Sequence, residues 1–406
     1  MKWQVELPGP GHSCPIVVGD RVLLTCWTGY GVNRDNVGEQ KNLRLHLVCL
    51  NRKDGKTMWS KEVQPELPEE EYGGMFTQHG YATHTPVTDG EKVFAFFGKT
   101  GVVAFDLEGK RLWQANVGKS LDRRGWGSSS SPILFKNLVL ITASVESHSL
   151  VALDKETGKE VWKTEADGLG GTWGTPALVA AGERTDLVLS VPDEIWGLNP
   201  ETGKLRWYCE GSRDNTACSS VIVDKDIVYV IGGREGGTVA VRAGGKGNVT
   251  ESHRLWESRR SGRTASPILH EGRLYWINSG FAYCLNAKTG EEIYRARVNS
   301  DASGNEAEAN NDRGGRGDRG GRGGRGGRGR MGSADYASPV ASGKHLYQLT
   351  RKGEMIILEM GEAYKEVGRS SFSGGGEFSA TPAISKGDLF VRSTKHLYCV
   401  GTAEGS

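Results

Sequence analysis

Eight side chains able to hydrogen-bond stand three residues ahead of recurring marks in the chain: His12, Thr83, Ser129, Trp173, Thr216, Thr264, Tyr336 and Ser379. Each mark is a small or polar residue followed by proline: Cys14-Pro15, Thr85-Pro86, Ser131-Pro132, Thr175-Pro176, Ser266-Pro267, Ser338-Pro339 and Thr381-Pro382. Cys218-Ser219 fills the remaining slot without proline. Brought round one axis, such groups would form a polar mouth for a ligand. The plainer alternative is that they cap strand ends and hold water.

Other chemistry is sparse. Arg123, Arg124 and Trp126 lie together in one irregular loop, where binding residues concentrate on a rigid scaffold. Asp193 and Glu194 could approach the same axis, but lone carboxylates in a turn are usually solvated. Gly98-Lys99-Thr100 resembles the tail of a phosphate-binding loop. The glycine required before it is Val93, and the segment sits between strands rather than before a helix, so that reading fails. His79 and His84 lack further ligands at metal-binding spacing. Asn248-Val249-Thr250 is a glycosylation sequon, meaningful only in an exported chain. The seven cysteines include no C-x-x-C and no adjacent pair. Cys49, Cys284 and Cys399 fall in equivalent slots as small buried residues. A Cys209–Cys218 contact across a junction is one alternative. No metal site is expected.

Arg313 to Arg330 reads RGGRGDRGGRGGRGGRGR, with seven arginines and one aspartate. The remainder of a +2 chain therefore carries −4. The segment has no apolar residue to bury, so disorder is expected. Arginine runs bind polyanions such as RNA through phosphates and stacking. This one lacks interleaved Phe or Tyr, which favours a solvated loop.

These residues are positioned by a repeat. Leu150 to Trp162, LVALDKETGKEVW, reads as strand, turn and returning strand. Gly158 supplies the positive φ of a bulged hairpin, and Trp162 an apolar anchor. Leu50–Trp59, Phe105–Trp113, Leu198–Trp207 and Leu285–Tyr294 repeat it. Val241 to Trp256 stretches the turn, and Leu358 to Val367 is a degenerate copy with Val367 in the aromatic's place. The proline marks are separated by 71, 46, 44, 43, 48, 72 and 43 residues, the two long gaps holding insertions. A period near 45 with four short strands is that of a β-propeller blade. The last repeat stops one strand short. Met1 to Leu7, MKWQVEL, supplies that strand, with Trp3 as its anchor, and leaves no long open edge. The expected fold is all-β: an eight-bladed propeller of four-stranded blades closed by the N-terminal strand. It forms one domain over residues 1–406, with a disordered Gly/Arg-rich insertion at 299–333 between blades 6 and 7. The anchors Trp3, Trp59, Trp113, Trp162, Trp207, Trp256 and Tyr294 are expected to be buried against neighbouring blades. Tight turns would occupy one face and the long loops the other.

The D/N-x-x-T-G-K-x-x-W turn in phase with S/T-P resembles the PQQ-like propeller repeat over nearly the whole chain. That family includes quinoprotein dehydrogenases and outer-membrane assembly lipoproteins of the BamB type. The resemblance implies either a non-catalytic scaffold binding a protein partner on its long-loop face, or an enzyme holding PQQ with Ca²⁺. Quinoprotein dehydrogenases carry adjacent cysteines that stack on the cofactor and long insertions that build its pocket. This chain has neither, so a monomeric scaffold without cofactor is expected. PQQ catalysis and polyanion binding remain as alternatives.

No apolar run is long enough to span a membrane. Met1 to Leu7 reads as a strand rather than a secretory leader. Proteins with this resemblance are usually exported, so a native start upstream of Met1 is the competing reading, and the compartment stays open.

Overall fold

Ser149–Asp154 pairs antiparallel with Glu160–Glu165, and the ladder slips by one residue between Ala152 and Leu153. Gly158 turns the chain with φ 69°. The same slip recurs between the third and fourth strands of blades 1, 2, 4, 5, 6 and 7. A bulge of this kind bends the outer strand and sharpens its twist. In the computed structural model, which describes residues 1–233, 236–262, 264–298 and 335–401, these hairpins belong to eight antiparallel sheets arranged as a β-propeller. Each sheet runs in chain order from inner to outer strand. The exception is blade 8, whose outer strand is Trp3–Glu6 paired with His396–Val400. The Gly/Arg-rich insertion expected at 299–333 lies outside the described residues.

The core is divided among the blade junctions. Phe94, Ile141 and Val151 pack between blades 2 and 3, and Val188, Val230 and Val239 between blades 4 and 5. Phe390 and Leu397 meet Val22 and Leu24 at the closing seam. Such burial, about 25 cal/mol per Å² of apolar surface, is what holds successive blades together.

The anchors follow the expectation in part. Trp162 and Trp207 are buried, and the other five are partly buried, packed against the clusters at the blade junctions. Five of them, Trp3, Trp59, Trp113, Trp162 and Trp256, dock the indole on the turn glycine of the next blade. A Cβ on Gly158 would come within 2.6 Å of Trp113, and one on Gly203 within 2.4 Å of Trp162. Gly55, Gly109 and Gly290 receive Trp3, Trp59 and Trp256 in the same way. The indole N–H then donates to a carbonyl of that turn: Trp3 to Arg52 at 3.0 Å, Trp59 to Leu107 at 3.0 Å and Trp113 to Lys155 at 2.9 Å. Trp162 reaches Pro200 at 3.1 Å and Trp256 reaches Ala287 at 3.0 Å.

Departures from the rule have local causes. Blade 5 offers Trp207 no short turn, because its stretched turn lays Gly247–Asn248 beside blade 4 as a fifth strand. Trp207 folds inward over Gly197 and donates to Asp186 at 2.7 Å. In blade 7 the register places Gly368, not Val367, at the aromatic's slot, opposite Ile357. Val367 falls in the bulge and points outward. Blade 8 takes its outer strand from the N-terminus, and among the described residues no turn follows Val400 to receive an indole. Cys49, Cys284 and Cys399 sit directly across from Trp59, Tyr294 and Trp3, where Ala152 faces Trp162. The slot is small because the large ring lies opposite. None of the seven cysteines is in a disulfide, so Cys209 and Cys218 are not bridged.

Candidate functional site

The hydroxyl before each proline has a definite task. Backbone N–H groups of Cys14, Thr85, Ser131 and Thr175 donate to Thr85, Ser131, Thr175 and Ser220 at 2.9, 3.0, 3.1 and 3.3 Å. Ser220, Ser266 and Ser338 donate to Ser266, Ser338 and Thr381 at 2.8, 2.9 and 2.9 Å. This belt passes from blade to blade around the axis. It corrects the fifth mark, because the residue in register is Ser220 followed by Val221. The flanking gaps become 45 and 46, and the rim residue equivalent to His12 and Thr83 is Cys218 rather than Thr216.

Above the belt lies a cavity of about 860 Å³ on the face of the long loops. His12, Thr83, Ser129, Trp173, Thr216, Thr264, Tyr336 and Ser379 all line it, as does Cys218. His12 stacks on Trp27 with centroids 6.1 Å apart, and its Nδ1 has no partner among the described residues. Burial, helped by the nearby Arg392 charge, holds its pKa well below the usual value. Thr83 lies 2.9 Å from His79 Nδ1, and His79 Nε2 donates to the Trp126 carbonyl. Burial pulls His79 down to about 4, so it is neutral at pH 7. Trp126 and Trp173 lie 5.3 Å apart, and the Trp173 N–H donates to Gly127 at 2.6 Å. The Arg124 guanidinium sits 5.8 and 5.4 Å from the two ring centroids. Arg123 is exposed beside it. Arg351 covers Tyr336 at 5.3 Å.

Asp193 lines the cavity, whereas Glu194 turns aside and accepts from Trp196 at 2.5 Å. Sequence reasoning missed Met75, Gln78, His79, Arg213, Asp214 and Asn215. The run Ser212-Arg213-Asp214-Asn215-Thr216, polar throughout and just ahead of a mark, was the available signal.

A second polar cluster lies between the loops of blades 1, 2 and 3. Gly98–Thr100 forms a 3-10 turn, and Lys99 is buried with its ammonium on the Pro68 carbonyl. Thr100 donates to Glu69 at 3.1 Å, and Gln40 clasps Glu69 through both backbone groups. The turn thus pins the long loop that frames the cavity. Burial raises Glu69 to about 8 and Glu146 to about 7, and lowers His84 to about 3. Ser128 donates to Glu146 and lies 3.1 Å from His84 Nε2. With Glu146 ionised, Ser128 donates to the carboxylate and His84 Nε2 is then the donor to Ser128. In that state the relay runs opposite to that of a serine nucleophile activated by a histidine base.

A quinone with Ca²⁺ asks for more than this wall offers. Ca²⁺ takes about six to eight oxygen ligands. The carboxylates at the cavity are Asp193 and Asp214, and among the described residues no three His, Cys, Asp or Glu side chains converge. No vicinal cysteines are present. Among the described residues the wall holds no ready-made Ca²⁺ cage.

The profile of the family described as outer membrane protein assembly factor BamB matches residues 1–144 and 120–311. A polyvinylalcohol dehydrogenase from a Pseudomonas species is 23% identical over 359 residues, 73% of this chain and 46% of the relative. The chain therefore spans less than half of that enzyme's length. Among solved structures, BamB from Moraxella catarrhalis superposes with a TM-score of 0.64 at 11% identity, covering 98% of both chains. A europium-containing methanol dehydrogenase does so at 0.61 and 12%, covering 96% of this chain and 84% of that one. Identities this low speak for the fold alone.

Proposed function

Because the chain belongs to the PQQ-like repeat family described as outer membrane protein assembly factor BamB, we propose that it is a non-catalytic, monomeric propeller that binds a protein partner on its long-loop face. The observation carrying this reading is the open cavity of about 860 Å³, rimmed by Trp126, Trp173 and exposed arginines, on a face whose loops are pinned from beneath. Large aromatic and arginine side chains around a concavity are the usual anchors of a protein interface. The assembly role in the family's description supports a protein as the partner. Fold alone would not, since one scaffold hosts many functions.

The test is capture by the immobilised chain of cross-linked partners from envelope extract, identified by mass. Alanine at Arg123, Arg124 and Trp126 together should reduce capture at least tenfold and leave the melting temperature unchanged. Equal capture by the triple variant would refute the reading.

The dehydrogenase relative motivates a second reading, a quinoprotein enzyme. Adding PQQ with Ca²⁺ should then shift the quinone absorbance and support dye reduction with alcohols. A third, polyanion binding, predicts that deleting residues 299–333 abolishes salt-sensitive RNA retention.

A further inference from the structure

Asp193 and Asp214 are neighbours in the cavity wall, the Asp193 N–H donating to the Asp214 carbonyl at 3.3 Å. The wall beside them is aromatic. Thr172 and Ala217 pair as an isolated bridge, and the Trp173 backbone N–H donates to the Ala217 carbonyl at 2.7 Å. The backbone that carries the indole is therefore tied to the acidic loop. Asp214 Oδ1 accepts from the Thr216 N–H and hydroxyl at 3.2 and 3.1 Å. Oδ2 is shut off from solvent and has no partner among the described residues. A carboxylate oxygen in that condition lacks a donor it would ordinarily find.

The chain itself shows what the aromatic pair accepts. The Arg124 guanidinium lies over both Trp126 and Trp173. Aromatic faces attract such cations through their quadrupole, most strongly when desolvated. Among the described residues lining the wall, His12 and His79 are held neutral by burial, so the two aspartates face one cation, the exposed Arg213, and the wall stays net negative.

We infer that the cavity receives a cationic side chain, a guanidinium above all, from a peptide segment of the partner. The cation lies against Trp126 and Trp173 with Asp193 and Asp214 as its counter-charges. This deepens the scaffold reading and rests on it in taking the occupant to be a protein. Arginine suits the site better than a point charge, because its planar fork can stack and donate at once.

The test uses the full chain and a fluorescein-labelled Gly-Arg-Gly-Arg-Gly peptide followed by anisotropy. Counterparts carry citrulline, which keeps the shape without the charge, or glutamate. The arginine peptide should bind saturably, and the citrulline peptide about tenfold more weakly. Asp214→Asn and Asp193→Asn should each weaken binding about fivefold at unchanged melting temperature. Arg124→Ala should tighten it by about twofold, by vacating the aromatic pair. Binding of the citrulline or glutamate peptide as strong as that of the arginine peptide would overturn the inference. So would affinities of both aspartate variants within twofold of the parent. Arg124→Ala separates the two claims: as part of the triple change it should cost partner capture, whereas alone it should favour the peptide. Capture lost with no peptide selectivity sinks this inference and leaves the scaffold reading standing.

Discussion

Arg392 Nη1 reaches Ser13 twice, at 2.9 Å to its carbonyl and 2.6 Å to its hydroxyl, joining blade 8 to the entry of blade 1. Nη2 reaches the Thr25 carbonyl at 2.6 Å and Cys26 Sγ at 3.4 Å. The guanidinium is 1% exposed, and all four of these acceptors are neutral. A Cβ on Gly11 would come within 2.1 Å of it, so the entering backbone is shaped around this side chain. The seam that the N-terminal strand closes from outside is thus clamped from inside by one arginine. Arg392→Ala should cost about 3 kcal/mol, from several lost hydrogen bonds and the void left behind. Urea unfolding measures that loss. Hydrogen exchange should quicken first in His396–Val400, and unchanged exchange there would contradict a seam role.

Gly158 and Gly272 have nearly the same backbone, φ 69° and 73°, but only Gly158 has an indole above it. Alanine at Gly272 meets nothing within 4 Å and should cost about 1 kcal/mol, the conformational penalty alone. Alanine at Gly158 must also displace Trp113 and break its bond to Lys155, adding about 1–2 kcal/mol. The difference between the two melting temperatures isolates the docking. Equal shifts would mean the indole contact contributes nothing.

The architecture was legible because it is written in short-range pattern. The S/T-P marks and TGK turns recur in phase, and each encodes a contact made identically in most blades. What the sequence hid was the partner of each contact. Trp162 reads as an anchor against a neighbouring blade, yet nothing in the sequence singles out the Pro200 carbonyl as the partner of its N–H. Cys218 was passed over for Thr216 because the missing proline left the fifth mark free to slide by two residues. The rim was readable because it sits at a fixed offset from the marks. Asp214 and His79 were not, since they come from loops of unequal length that meet only once the ring closes.

Among the described residues, no turn glycine stands beyond Gly368 to receive a ring. Every tryptophan that docks forward finds a turn glycine in the next blade. Ile357 fills the facing slot instead, so the two positions exchange large for small. Gly368→Trp should lower stability by about 2 kcal/mol through overpacking against Ile357 and an undocked ring. Adding Ile357→Ala should recover only the overpacking part, which thermal melts of the single and double variants would reveal. Full recovery would mean that docking on a following turn is not what the aromatic requires.

Glu69 and Glu146 give the fold a pH dependence whose sign can be worked out. Their folded pKa values, about 8 and about 7, lie above the 4.5 of the unfolded chain. Between those limits the folded state holds the protons and the unfolded state has released them, so stability falls as pH rises. His79 and His84 act oppositely. Their folded values of about 4 and about 3 lie below the unfolded 6.5, so they raise stability up to that pH and contribute nothing above it. From pH 6.5 to 8 the carboxyls act without that opposition. The melting temperature should decline across that window, and Glu69→Gln with Glu146→Gln should flatten the decline. The amide keeps an acceptor for Thr100 and Ser128 while removing the proton that titrates. A decline equally steep in the double variant would assign the effect to other groups. Because Thr100 ties Glu69 to the loop that frames the cavity, the protection of amides in residues 64–79, relative to their intrinsic base-catalysed exchange, should fall over the same pH range in the parent chain and stay level in the variant.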